Sequence, residues 1–339
     1  PSSTPLMDSS KYDFLLLNSA NGCIPSPTDQ VKVTTARVVS KSKSVSIDNG
    51  KLKELAFEIV SNGGRKVLNN GKVGWESCGW HYSVDSKSNG PLTCQYVFVL
   101  DALNFCFWPV KGAEYEHLAK GLKIALENNP NELNSSALMN ATKENVKKWF
   151  LCDEVPQLEE RVAKVRELGQ VLEFYFDGLA ANMVKAAKGS AVSLMRLIIS
   201  LLPGFRDETI YHGFQVFLYK RAQILVADLW AAYGCRSNGS QLYSFDDIDQ
   251  LTMFADYRVP QLLEHLGVLC YTRQLKEKIR SAVEILPGSE EEVEIRAATV
   301  QAVERLKEML EMQSMPLLSV EIDWILWHKG EQENGSISP

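Results

Sequence analysis

From Pro156 onward the chain repeats one pattern: apolar residues recur three and four positions apart, as in Leu158, Val162, Val165, Leu168, Val171 and Leu172. On a helix of 3.6 residues per turn, that spacing gathers them into one stripe that must be buried. Residues 190–202 form another such run, ended by Pro203-Gly204, and residues 214–233 a third, closed by Gly234. Residues 261–283 and 289–313 predict two more helices, the second with Glu290 to Glu294 in a first turn where carboxylates suit the helix dipole. Ser244 is expected to cap a further helix, with Asp247 at its third position. The class predicted is mainly α, a helical bundle with at most a small β element in the N-terminal third.

The first 155 residues are less regular. Residues 1–35, rich in Ser, Thr and Pro, read as a flexible leader, residues 36–330 as a single domain, and 331–339 as a polar tail. Residues 45–60 begin extended, turn at Asp48-Asn49-Gly50 and continue as a helix with Leu52, Leu55, Ala56 and Ile59 on one face. Residues 62–94 read as irregular loops whose Trp75, Trp80 and Tyr82 are expected to dock on the core. The apolar run 96–108 fits a buried strand or a buried helix, and periodicity does not choose. Amphipathic helices are predicted over residues 115–127 and 142–151.

Several functions drop out. A net charge of −6 lacks the Lys and Arg excess on which general polyanion binding depends, so no stable nucleic-acid partner is expected. Seven scattered cysteines without a CxxC pair, and five dispersed histidines without HExxH, leave no expected metal site. No run of 18 apolar residues is present, so no membrane span is expected. A cytoplasmic or nuclear location is the simplest expectation, with an organellar presequence left open for the leader. GxGxxG, P-loop, GxSxG and kinase signatures are absent.

Charge within apolar segments is the remaining signal. Residues 217–230, FLYKRAQILVADLW, carry Lys220, Arg221 and Asp228. Residues 254–266, FADYRVPQLLEHL, place Asp256, Tyr257 and Arg258 side by side before Pro260, which is expected to interrupt a helix. Buried charge is costly unless paired. The two segments therefore hold either an internal ion-pair network or an active site. Carboxylates with aromatic company suit glycosidic chemistry, in which a carboxylate stabilises an oxocarbenium-like sugar or activates water. Phe105, Phe107, Trp108, Phe254 and Tyr257 could hold a flat heterocycle or simply be core residues. Lys220 and Arg221 could clamp a phosphate, while Arg221 and Asp228, seven apart on one helix face, could equally pair for structure.

Three stretches, YVFVLDALNFCFWP (96–109), YKRAQILVADLW (219–230) and TMFADYRVPQLLEHLGVL (252–269), resemble signatures of the queuosine salvage protein family. SKSVSIDNGKLKELA (43–57), VPQLEERVAKVRELG (155–169), VEIRAATVQAVE (293–304) and the DWILW near the end support a resemblance over roughly residues 35–330. The resemblance implies an N-glycosyl hydrolase that frees queuine from queuosine 5′-monophosphate for return to tRNA, a small-molecule substrate, and no metal or organic cofactor. It also implies a fold similar to helix-hairpin-helix DNA glycosylases, with LLPGF (201–205) a candidate for the hairpin. Carried across, it makes Asp256 the catalytic carboxylate, and Asp228 a second acid or an orienter. Lys220, Arg221 and Arg258, with Phe254 and Tyr257 beside them, become substrate contacts, and Asp101, Asn104, Phe105 and Trp108 the base end. A non-catalytic nucleotide-binding module and a glycosylase acting on DNA or RNA polymer are the alternatives.

Overall fold

A computed structural model describes residues 25–332, except 65–67, 69–74, 76, 89, 111–112 and 236–240. Most of the leader (1–24) and of the polar tail (333–339) thus lie outside the described residues. The chain divides into two compact units, the first Pro1–Pro27, Tyr82–Gly204 and Tyr233–Ile248, the second Thr28–His81, Phe205–Ala232 and Asp249–Pro339. Both are built mainly of α-helices.

In the first unit the ambiguous apolar run is helical as far as Leu103, in α3 (Pro91–Leu103), numbered after two helices of the second unit given below, and leaves the helix from Asn104 on. Every residue from Thr93 to Leu103 is buried, which explains why its sequence carries no amphipathic period. Pro91 starts it where its missing N–H costs nothing, and Asp85 accepts hydrogen bonds from the N–H groups of Leu92 and Thr93, both at 2.9 Å. Around it pack α4 (Tyr115–Asn128), α7 (Leu158–Phe176) and α8 (Ala180–Ala186). The short α5 (Ser135–Met139) lies on α7 at Gly169, where a Cβ would stand 2.6 Å from the Met139 nitrogen. α6 (Lys143–Phe150) packs on α4 and α7, and α9 (Ala191–Leu201) follows α8.

The second unit surrounds the 23-residue helix α13 (Glu290–Met312), whose N-cap Ser289 accepts from the Glu292 N–H. α1 (Pro27–Val39) belongs to it almost entirely, and Val31, Thr35 and Val38 there are fully buried. Residues 27–35, expected to be flexible, are therefore helical: their polar composition hides a buried face. α2 (Asn49–Ser61) buries the four residues read from its sequence, and its N-cap Asp48 accepts from the N–H groups of Gly50 and Lys51. β1 (Val45–Ile47) pairs antiparallel with β4 (Leu269–Tyr271), Ser46 facing Cys270. β2 (Glu208–Tyr211) and β3 (Phe214–Phe217) form a hairpin closed by His212 and Gly213, both at positive φ.

Four sequence expectations change here. The helix read over 214–233 begins only at Lys220, as α10 (Lys220–Ala232), because His212-Gly213 turns the chain into a strand first. Strands therefore also occur beyond the N-terminal third. LLPGF joins α9 to β2 rather than to a second helix. The region 261–283 is α11 (Arg258–His265), β4 and α12 (Arg273–Arg280), broken at Gly267 with φ 73. Finally, Ser244 caps no helix. Asp247 instead caps α9, accepting from Ser190 Oγ at 2.6 Å and Ala191 N at 2.5 Å. α14 (Ser319–Gln332) completes the unit, packing on α11 and α13.

Trp75 and Tyr82 are buried, as expected of docked aromatics, and Trp75 stacks on His81 with ring centroids 3.9 Å apart.

Candidate active site

The buried segment from Leu251 to Ala255 forms neither helix nor strand, so its backbone groups need partners from elsewhere. Each comes from a different element. Gln223 of α10 accepts from Thr252 N at 2.8 Å and donates to Thr252 Oγ1 at 2.9 Å. Asp323 of α14 accepts from Phe254 N at 3.0 Å. Arg296 of α13 donates from Nε to the Ala255 carbonyl at 3.0 Å. The segment ends at Asp256, whose Oδ1 accepts from Arg258 N at 3.0 Å and Val259 N at 3.1 Å, so its carboxylate caps α11. Pro260 is the third residue of α11, a position with no intrahelical N–H bond to lose. It helps begin a helix rather than interrupting one.

Lys220 is delivered by a second tight arrangement. The Asp207 carbonyl accepts from Leu218 N at 2.9 Å and Tyr219 N at 3.0 Å, while its Oδ2 accepts from Lys220 N at 3.0 Å. Tyr219 takes φ 49, which turns the chain from strand β3 into helix α10 at Lys220. The Asp207 side chain meets Arg296 in a two-pronged pair, Oδ1 to Nη1 at 2.9 Å and Oδ2 to Nη2 at 2.5 Å, and Arg296 Nη1 also reaches Glu292 at 3.1 Å.

The carboxylates differ sharply. Burial works against an ionised Asp207, but the charge and hydrogen bonds of Arg296 outweigh it and hold the group below the usual range. Asp256 moves the other way. Burial raises it, against the opposing charge of Lys220, the two helix N–H groups and Arg258. Asp323 is raised well above the ordinary range, first by burial and then by the charge of Asp256, against the Phe254 N–H and Lys220. Two carboxylates thus share one buried neighbourhood in which Lys220 acts on both, and the lower-energy arrangement keeps a proton on Asp323 and the charge on Asp256. Such a pair can offer an anion to a developing cation while staying electrically cheap to bury.

The other predicted residues fall into two groups. In the second unit, Arg258 Nε pairs with Glu331 at 2.6 Å, and its side chain packs at Gly330, where a Cβ would lie 3.2 Å from it. Tyr257 is half exposed with the Arg258 guanidinium 6.0 Å from its ring, whereas Phe254 is buried. Arg221 places its guanidinium 5.1 Å from the Phe205 ring centre. Asp228 is buried on α10, two turns beyond Lys220. In the first unit, Asp101 is fully buried and accepts from Asn104 Nδ2 at 3.4 Å. Phe105 lies against the Arg161 guanidinium at 4.2 Å and lines a shallow depression with Lys143, Gln157 and Lys164, while Trp108 is exposed.

Sequence reasoning missed Asp207, Arg296 and Asp323. Asp323 had a signal, an acid between the apolar Ile322 and Trp324, of the kind that drew attention to Asp256. Arg296 sits between the buried Val293 and Ala297, a charge on a buried stripe. Asp207 carried no local mark at all. Among the described residues, no group of three or more His, Cys, Asp or Glu side chains could hold a metal ion.

The family described as queuosine salvage protein matches residues 81–338. A queuosine 5′-phosphate N-glycosylase/hydrolase of Dictyostelium discoideum is 44% identical over 318 residues, covering 92% of this chain and 97% of that protein. Proteins of the same name from Sphaerobacter thermophilus and Bos taurus are 38% and 30% identical, covering 90% and 86% of this chain and 94% and 89% of their own lengths. The chain belongs to the queuosine salvage protein family.

Proposed function

We propose that this chain hydrolyses the N-glycosidic bond of queuosine 5′-monophosphate, releasing queuine and ribose 5-phosphate. The observation that carries the chemistry is the buried Asp256–Asp323 pair under the influence of Lys220. It supports this reading because the family's relatives carry the name of that reaction.

Queuine is a 7-deazaguanine, with carbon where a purine has N7. Protonation at N7, the usual route to a better purine leaving group, is closed. The enzyme must stabilise the leaving base through its pyrimidine edge and drive the reaction from the sugar side. Ionised Asp256 faces the developing oxocarbenium and takes the proton of the attacking water, whose oxygen joins C1′ as the bond to the base breaks; the base departs with the bonding pair on N9 and takes up a proton there from solvent, and Asp256 returns its own proton to solvent. Neutral Asp323 keeps the charge at one, and Lys220 holds Asp256 ionised. Lys220 and Arg221, adjacent at the start of α10, are the proposed contacts of the 5′-phosphate, with Arg258 and Tyr257 orienting and Asp228 as a second acid. Asp101, Asn104, Phe105 and Trp108 are proposed for the base. The step uses water alone and asks for no redox or metal chemistry.

The test is incubation of purified protein with queuosine 5′-monophosphate, queuosine nucleoside and guanosine monophosphate, with released base read by mass spectrometry. Queuine from the monophosphate supports the reading. No release, under conditions where the Dictyostelium relative releases it, sinks the reading.

A further inference from the structure

We propose that the Asp207–Arg296 pair is a positioning device that fixes the distance between Lys220 and Asp256. The inference rests on the function proposed above and concerns residues that neither touch substrate nor carry charge into the reaction. Its warrant is connectivity. One guanidinium, on the long helix α13, donates through Nε to the Ala255 carbonyl, one residue before Asp256. Its two other nitrogens grip Asp207 at 2.9 and 2.5 Å. Asp207 in turn holds three successive backbone N–H groups, those of Leu218, Tyr219 and Lys220. The catalytic carboxylate and its cation belong to segments 36 positions apart in the chain (256 − 220), and a single ion pair ties the backbones of both.

The geometry demands these residue types. Only a planar fork serves Asp207 with two parallel bonds and still has a third donor, aimed at Ala255, in the same plane. Lysine brings the charge without that fork. The pair is also part-buried, with side-chain exposures of 18% for Arg296 and 27% for Asp207, so water competes weakly for its bonds. An ordinary structural ion pair has no reason to end on the two backbone segments that carry the proposed reacting carboxylate and a cation whose charge acts on it. Glu294, two residues before Arg296, shows the ordinary case: buried, it accepts from Lys43 N, Ser44 N, Ser42 Oγ and the Tyr211 hydroxyl, none of them at the reaction centre.

Loosening the clamp lets Lys220 and Asp256 separate. Losing Lys220's influence raises the proton affinity of Asp256, so the acid limb of activity moves to higher pH. In Arg296→Lys, kcat for queuine release is expected to fall about 100-fold with KM within about threefold, because misplacement by an ångström costs turnover more than binding. The acid limb should move upward in the same variant. Asp207→Asn should do likewise and stands in should Arg296→Lys not fold. Glu294→Gln, loosening the same helix elsewhere, should lower the melting temperature without moving the limb. A carbon-13 carboxyl NMR titration of Asp256 in wild type and Arg296→Lys reads the displacement without turnover, so absence of queuine release in wild type would count against the functional reading alone. Folded Arg296→Lys or Asp207→Asn with the wild-type limb and an unmoved Asp256 titration overturns the clamp, as does an equal shift in Glu294→Gln.

Discussion

Two buried charge clusters, one in each unit, are held in opposite ways. In the first, Arg161 is fully buried and spends its donors on carbonyl oxygens, those of Leu103, Phe105, Cys106 and Pro156, with Phe105 and Phe150 rings 4.2 and 4.7 Å from its guanidinium. The arrangement closes the carboxyl end of α3, where a positive charge meets carbonyls that the helix cannot satisfy. In the second, two carboxylates stand together with their proton affinities raised, and a third, Asp207, is held ionised by Arg296. A charge fully satisfied by backbone is architecture. Charges held at the edge of changing protonation are the kind a reaction can use.

Substitutions can break that contrast, and Asp256→Asn is expected to have the largest effect. Queuine release should drop by about a thousandfold or more, the scale of a lost reacting carboxylate, while the melting temperature at neutral pH holds or rises. Arg161→Met should do the reverse. Leaving buried carbonyls without their donor costs roughly 3 kcal/mol, visible in denaturant unfolding, and the folded fraction should keep the wild-type acid limb. Lys220→Met is expected to cost about 100-fold in kcat and to move the acid limb upward, since the cation favouring ionised Asp256 is gone. An unmoved limb would place Lys220 outside the reaction centre.

How much of this was legible in the sequence divides along the same line. The helical stripe of α7, the buried face of α2 and the long helix α13 are local patterns that read correctly, whereas the cap expected at Ser244 and the interruption expected at Pro260, equally local, did not. The start of α10 was misread because a His-Gly turn does not look like a hairpin without the φ values that close it. Asp207, Arg296 and Asp323 escaped because their meaning is non-local. Each makes a contact 13 or more positions away in sequence, with Lys220, Ala255 and Phe254 respectively for Asp207, Arg296 and Asp323, and no period or motif records such a contact.

Smaller effects sharpen the account. A carboxylate whose folded proton affinity is raised contributes stability below its unfolded pKa, near ~3.9 for Asp, and loses it as pH rises through the folded value. Asp323→Asn removes that loss. Its melting temperature should decline less than wild type's between pH 4 and 8, and Asn can still accept the Phe254 N–H. An unchanged slope would mean that Asp323 is not the proton-holding partner. The exposed Lys143–Glu159 pair in the first unit is the lower bound: Lys143→Ala should leave both melting temperature and turnover where they are.

The central claim is that the reaction runs on ionised Asp256 beside protonated Asp323. The most direct test is the pH dependence of kcat/KM for queuosine 5′-monophosphate in wild type and Asp256→Asn. The account predicts one acid limb lying above that of a free aspartate in wild type, and turnover lower by about a thousandfold or more, without that limb, in the variant. Wild-type turnover with the same acid limb in Asp256→Asn would contradict it.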